Sequence, residues 1–339
     1  DLFTGDEAQL TQAPCNVVVA AVVLHGIHDG QGAPGQVGQR HVEHSNRNCS
    51  HSTIAAPHAR RSGVTGYDSA SLPGRVVMSD MLEPLQEGAV LRLRLNRPTL
   101  HNAFDATLIA ELTAALVSAG SDAAVRVVVL EGAGASFSAG ADLNWMRGMA
   151  AASEAENRED SLALARLMRT LDQLPKPTIA RVQGAAFGGG VGLIACCDIA
   201  IGVPEAKFGL TESKLGLLPA VISPYVIAAI GARQARRWFA TAELFDAATA
   251  LSIGLLHQVV ATEQLDAAVQ RQIDLLLKAG PVAAASAKSL IASVVAEPDG
   301  SIQDHSNAAL IARLRASPEG QEGLSAFLDK RPPAWVTKE

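Results

Sequence analysis

From residue 90 onward the spacing of apolar positions switches between a period of two and a period near 3.6, and each switch marks an element. Val90 to Leu95 alternates apolar residues with Arg92 and Arg94, which predicts a half-exposed strand. Asn96-Arg97-Pro98 ends it, and Asp105 is placed to cap a helix running to about Ala119. Val125 to Leu130 is apolar apart from Arg126, as in a strand covered on both faces. Glycines at 132, 134 and 140 make a loop, and Ser153 to Leu174 has helical spacing that stops at Pro175 and Pro177. Thr178 to Val182 predicts another strand, followed by a glycine turn, the apolar segment Gly190 to Cys197, and a short strand over Asp198 to Val203. Beyond residue 223 the Ala-rich segments read almost entirely as helix. Strands alternating with helices imply an α/β domain with the helices packed outside the sheet. No internal repeat is visible beyond that alternation.

Composition changes the picture for residues 1–80. They hold six of the nine histidines (His25, His28, His41, His44, His51, His58) and no lysine, and are rich in Gly, Ser, Asn and Gln. With no sustained period they are expected to be largely disordered, Val17 to Leu24 being one candidate for a short element. The chain begins with Asp1, while Met78 and Met81 lie just before the first periodic segment, so residues 1 to 77 read as an upstream extension or a mis-assigned start. The histidine spacings are irregular and lack a Cys or carboxylate framework, and no metal site is expected. A basic start followed by an apolar core, the pattern of a secretory signal, is missing.

Net charge is −6 and the basic residues are scattered, which argues against nucleic acid as a partner. Hydrophobic residues make up 48%, yet no apolar run reaches the ~18 residues of a membrane span, so neither a membrane partner nor a membrane location is expected. Cys15, Cys49, Cys196 and Cys197 lack paired C-x-x-C spacing; Cys196 and Cys197 read as small core hydrophobes in a reducing, cytoplasmic compartment.

Three segments carry candidate chemistry. Ser136 to Leu143 follows the Val125 to Leu130 strand, and Gln183 to Leu193, with Gly188-Gly189-Gly190, follows the Thr178 to Val182 strand. Small residues in both let backbone N–H groups approach a ligand, and the second segment opens a helix whose unpaired N–H groups favour negative charge. Two such N–H groups from different loops form an oxyanion hole. The third segment, Phe208 to Pro219, contains Glu212. A dinucleotide loop does not fit: Gly184 to Gly190 misses the G-x-G-x-x-G spacing, and no phosphate-binding G-x-x-x-x-G-K occurs. Nor is there a G-x-S-x-G nucleophile motif.

In order and spacing, Ala139-Gly-Ala-Asp142, Gly188-Gly-Gly190 and Phe208-Gly-x-x-Glu212 resemble the signature of the crotonase (enoyl-CoA hydratase/isomerase) superfamily. Asn96-Arg97-Pro98, Asn102-Ala103 and the tail Phe327-Leu-x-Lys-Arg331 are similar to it too, and the likeness covers residues 81 to 339. The resemblance implies a spiral of ββα units, as in the ClpP/crotonase-like fold, over 81–270, with a C-terminal helical region at 271–339 that builds a homotrimer or hexamer. It implies that the backbone N–H groups of Ala139 and Gly189 hold a thioester oxygen and that Glu212 is the catalytic acid/base. Thr99, His101 and Ala103 match the loop that touches CoA, although Thr99 stands where a Lys is common, and Ala141, Asp142, Leu143 and Gly188 fall among the substrate-binding positions. No cofactor is implied, since coenzyme A belongs to the substrate.

One position departs from the pattern. Typical hydratases of the family carry a second glutamate where this chain has Gly192. Isomerases that shift a double bond work with the glutamate matching Glu212 alone. The stretches Phe187 to Ala200 and Leu218 to Val226 nevertheless look like bacterial methylglutaconyl-CoA and isohexenylglutaconyl-CoA hydratases. Hydration of a branched glutaconyl-CoA is therefore the favoured expectation, with isomerisation as the alternative and a non-enzymatic, RNA-binding or scaffold role as the competing class. A distal carboxylate on such a substrate needs a cation, for which Arg147 and Lys214 are the candidates.

Overall fold

The computed structural model describes residues 79–297 and 299–336. The expectations for Cys15, Val17 to Leu24, Cys49, the histidine-rich segment and an extension ending at residue 77 lie outside the described residues.

The described chain opens with β1 (Leu82–Glu87) and β2 (Val90–Leu95), an antiparallel hairpin turned at Gly88. Leu93 and Leu95 are fully buried, while Arg92 and Arg94 reach from the other face towards buried Glu131. α1 (Ala106–Ser121) is capped by Asp105, whose Oδ1 accepts the Leu108 N–H at 3.0 Å. β3 (Val127–Gly132) is buried along its whole length, as the apolar run Val127 to Leu130 requires, and buries Glu131 with it. Then come β4 (Ser136–Ser138), α2 (Leu143–Ala151) and α3 (Glu154–Asp172), the last begun by a Ser153–Glu156 capping box. β5 (Thr178–Val182), β6 (Ala185–Phe187), α4 (Gly189–Cys196), β7 (Ile199–Gly202) and β8 (Lys207–Gly209) follow. α5 (Ser223–Thr241), β9 (Leu244–Asp246), α6 (Ala247–Ser252) and β10 (Gln258–Val259) complete the sheets.

Two sheets result. The first has the order β1-β2-β3-β5-β7-β10, parallel from β2 onward; the second has the order β4-β6-β8-β9. β3, β5 and β7 each hand the chain to a strand of the second sheet, β4, β6 and β8; helices return it to the first after β4 and β6, whereas α5 leads from β8 to β9 before α6 returns it to β10. This strand–strand–helix turn is the repeat of the spiral, and it is a repeat of path rather than of residues. It places the ends of β4, β6 and β8 side by side.

α7 (Leu265–Lys278) packs on β3, β5 and β7 and buries Leu265, Ala268, Val269 and Ile273. The division expected at residue 270 therefore falls inside a helix that belongs to the sheet, and the C-terminal region begins after Lys278. α8 (Pro281–Ala296) and α9 (Gly300–Ala316) bury no residue, and α10 (Pro318–Leu328) buries Ala326 alone. Ile291, Val295, Ile302, Ile311 and Phe327 stand exposed along them, Val295 at 82% and Phe327 at 80%. Cys196 and Cys197 are buried, and burial pushes the Cys197 thiol up to about 12, consistent with packing rather than reactivity. Among the described residues no single helix is long and apolar enough to cross a membrane.

Candidate active site

The site is built where β4, β6 and β8 end. The chain leaves β6 through Gly188, at φ +48° and ψ −118°, a conformation that a side chain would strain. The Gly188 N–H donates to Gly209 O at 2.9 Å, which fixes the turn to β8. Gly189 then begins α4, and its N–H has no acceptor among the described residues. The Phe104 ring backs it so closely that a Cβ at 189 would lie 2.2 Å from Cζ, so only glycine fits.

The loop after β4 reaches the same place. Gly140 takes φ +82°, and a Cβ there would lie 2.7 Å from Phe187 O and 3.5 Å from Gly189 N. Its N–H is held by Ser138 Oγ at 3.2 Å, and that hydroxyl donates to Asn102 O at 2.9 Å.

Ala139, expected to supply an oxyanion donor, does not have one to offer. Its N–H donates to His101 O at 2.8 Å. Ala141 instead has the open donor. Phe104 forms a parallel bridge with Ala141, taking Gly140 O with its N–H at 2.8 Å and the Asp142 N–H with its carbonyl at 3.0 Å. In such a bridge the flanking residues make the bonds and the residue between them turns its own N–H away from the partner strand. The donor pair is thus read as Ala141 with Gly189.

Glu212 sits in a 3-10 turn, Thr211–Leu215, directly after β8. A Cβ at Gly188 would lie 3.1 Å from its Oε1, so the carboxylate borders the start of α4. Oε2 is buried with no hydrogen-bond partner among the described residues. Burial raises the carboxyl above its ordinary range, because the charged form loses hydration that a hydrogen bond from its own backbone N–H offsets only in part. A half-buried carboxyl with one unpaired oxygen and a raised pKa, bordering the helix start where the Gly189 N–H is unengaged, is suited to moving protons while charge develops on a neighbouring oxygen.

The loop from Arg97 to Asp105 braces this arrangement. Asn102, fully buried at φ +54°, donates through Nδ2 to Ala133 O and Ser136 O, each at 2.8 Å, and accepts the Arg97 N–H through Oδ1. His101 Nδ1 lies 3.0 Å from Ser136 Oγ, Ala103 is buried, and Thr99 is exposed. Leu143 is 43% exposed at the first turn of α2. Asp142, expected to bind substrate, has both oxygens engaged: Oδ1 caps α2 through Asn144 and Trp145, and Oδ2 takes Arg97. Arg147 and Lys214, the candidate cations for a distal substrate carboxylate, are both exposed, Arg147 being bonded to Asn144 Oδ1 at 2.7 Å. Arg97, Asn102, Phe104 and Ser138 were assigned no role from the sequence. Arg97, Asn102 and Ser138 lay within recognised segments, whereas Phe104 gave no signal of its own.

Residues 86–338 match the enoyl-CoA hydratase/isomerase family model, and the chain belongs to that family. It is similar to an enoyl-CoA hydratase structure from Shewanella pealeana, 47% identical, with a TM-score of 0.73 over 75% of this chain and 96% of the other. Pseudomonas aeruginosa AtuE is 37% identical, with a TM-score of 0.73 over 76% of this chain and all of the other. A crotonyl-CoA hydratase of Syntrophomonas wolfei is 32% identical over 265 residues, 76% of this chain and 98% of its own length.

Proposed function

We propose that this chain adds water across the C2–C3 double bond of an enoyl-CoA thioester. The observation that carries the reading is a Glu212 carboxylate that borders the start of α4 and has a buried Oε2 without a hydrogen-bond partner, next to the Gly189 N–H that has no acceptor among the described residues. Conjugation with the thioester makes C3 electrophilic. Glu212 takes a proton from water as the oxygen bonds to C3, and the C2–C3 electron pair moves towards the thioester oxygen. The Ala141 and Gly189 N–H groups stabilise that oxygen, a contribution worth roughly 3–4 kcal/mol per donor in comparable sites. The enolate then collapses as C2 takes the proton from Glu212, restoring the carboxylate. No cofactor beyond the substrate's own CoA is called for.

The likeness of Phe187 to Ala200 and Leu218 to Val226 to branched-glutaconyl hydratases supports 3-methylglutaconyl-CoA or a close relative as substrate. A second reading is favoured by the single carboxylate: Glu212 can equally carry a proton between C2 and C4, which would shift a double bond. One assay separates them. Purified protein is mixed with crotonyl-CoA, 3-methylglutaconyl-CoA and a 3-enoyl-CoA. Loss of enoyl absorbance with the first two supports hydration, and gain with the third alone would replace it by isomerisation. The bare apolar faces of α8, α9 and α10 are the surface on which we expect copies of the chain to assemble as trimers or hexamers.

A further inference from the structure

Gly192 lies one turn into α4, its N–H donating to Gly188 O at 3.2 Å. It is buried, and the direction in which a side chain would leave it is blocked. A Cβ there would lie 2.4 Å from Ile222 Cγ2, 2.9 Å from Ile222 Cβ and 3.3 Å from Met168 Cε. Ile222 is 2% exposed and Met168 fully buried. The obstacle is not the loose end of a long chain. Branching at Cβ leaves isoleucine little freedom about χ1. Its backbone is held at the start of α5, where Ile222 O accepts the N–H groups of Tyr225 and Val226 at 3.2 and 3.1 Å.

We propose that Ile222 is a specificity-determining residue: by filling the space that a side chain at 192 would enter, it keeps the site to a single carboxylate. The inference rests on the proposed hydration for its chemistry and on packing alone for its geometry. A carboxylate at 192 would stand on the helix whose N-terminus supplies the Gly189 donor, and could share with Glu212 the work of holding water and returning its proton. With Ile222 and Met168 there instead, the region is hydrocarbon and every proton passes through Glu212. Substrates whose hydration needs two acid/base groups are then turned over slowly, while those activated enough for one remain good substrates.

Two linked measurements test this. The first is a thermal double-mutant cycle of Gly192→Ala and Ile222→Ala. Overpacking against Ile222 should make Gly192→Ala lower Tm by roughly 2–12 °C in the wild-type background, and by less than about a third of that loss beside Ile222→Ala. Equal losses in both backgrounds would overturn the packing claim. The second compares Gly192→Glu/Ile222→Ala with Ile222→Ala on crotonyl-CoA. The double variant should gain about tenfold in kcat/KM and show a second ionisation in its pH profile. No gain and a single ionisation would overturn the specificity role. Wild-type protein that hydrates none of the thioesters would count against the proposed function alone, since the melting cycle reads the packing without turnover.

Discussion

The guanidinium of Arg97 lies 2.9 Å from Asp142 Oδ2, joining the loop after β2 to the cap of α2 across the strand ends that carry the site. The same guanidinium donates to Ala103 O at 2.6 Å and lies 3.3 Å from Asp105 Oδ2. Burial pushes the Asp142 carboxyl up, but the N–H groups of Asn144 and Trp145 together with Arg97 outweigh it and hold the group below its usual range. A depressed folded-state pKa contributes stability that is complete above the unfolded value, about 3.9, and lost as pH falls through the folded one. Asp142→Asn should therefore destabilise by about 1–2 kcal/mol at pH 7, and the difference should shrink below about pH 4. Melting curves from pH 2.5 to 7 check it; an offset that does not vary with pH would rule out the linkage.

Glu212→Gln should reduce turnover by about 10²–10⁴-fold while leaving binding of a CoA thioester nearly intact. It should also stabilise the fold at pH 8. A carboxyl whose pKa is raised by burial binds its proton more tightly when folded, so folding becomes less favourable as pH rises from the unfolded pKa to the folded one. Gln removes that cost, and the gain should vanish below about pH 4. A variant that melts below wild type at pH 8 would show that Glu212 is stabilising.

Ser138→Ala leaves the Gly140 N–H without its acceptor and Asn102 O without its hydroxyl donor. A loss of roughly 1–3 kcal/mol in stability is expected from the unpaired buried groups. The sharper expectation is kinetic: because Gly140 sets the direction of the Ala141 N–H, kcat should fall about tenfold with KM little changed, and Ser138→Thr should recover part of the loss. A change confined to Tm would make Ser138 purely structural.

Removal of residues 1–77 should leave Tm within a few degrees and kcat/KM within about twofold, since the segment has too little patterned apolar sequence to offset the entropy of ordering it. Comparison of the full chain with a chain starting at Met78 is sufficient. A fall of ten degrees would mean that the earlier residues take part in the fold.

Long elements were legible because each has one burial pattern along its length. Val90 to Leu95 and Thr178 to Val182 are strands at the residues their patterns indicate, and Asp105 is the cap of its helix. The second sheet was not legible, because β4, β6 and β8 are three residues each, too short to express a period. Glu212 stood out through the residues around it. Ala141 did not, because which N–H stays unengaged after β4 is decided by Phe104, a neighbour in space only. Which glycine contacts forbid a side chain is hidden for the same reason: nothing near Gly192 in sequence announces Ile222.

The spiral also governs when the site comes into being during folding. Ala141, Gly189 and Glu212 belong to three successive turns, and no local stretch of chain contains two of them. Loop closure must be completed turn upon turn before the thioester pocket exists, the slow, non-local regime typical of parallel sheets. Recovery of activity after dilution from denaturant should therefore lag behind recovery of helical signal, making turnover a clock for the last stacking step rather than for the first.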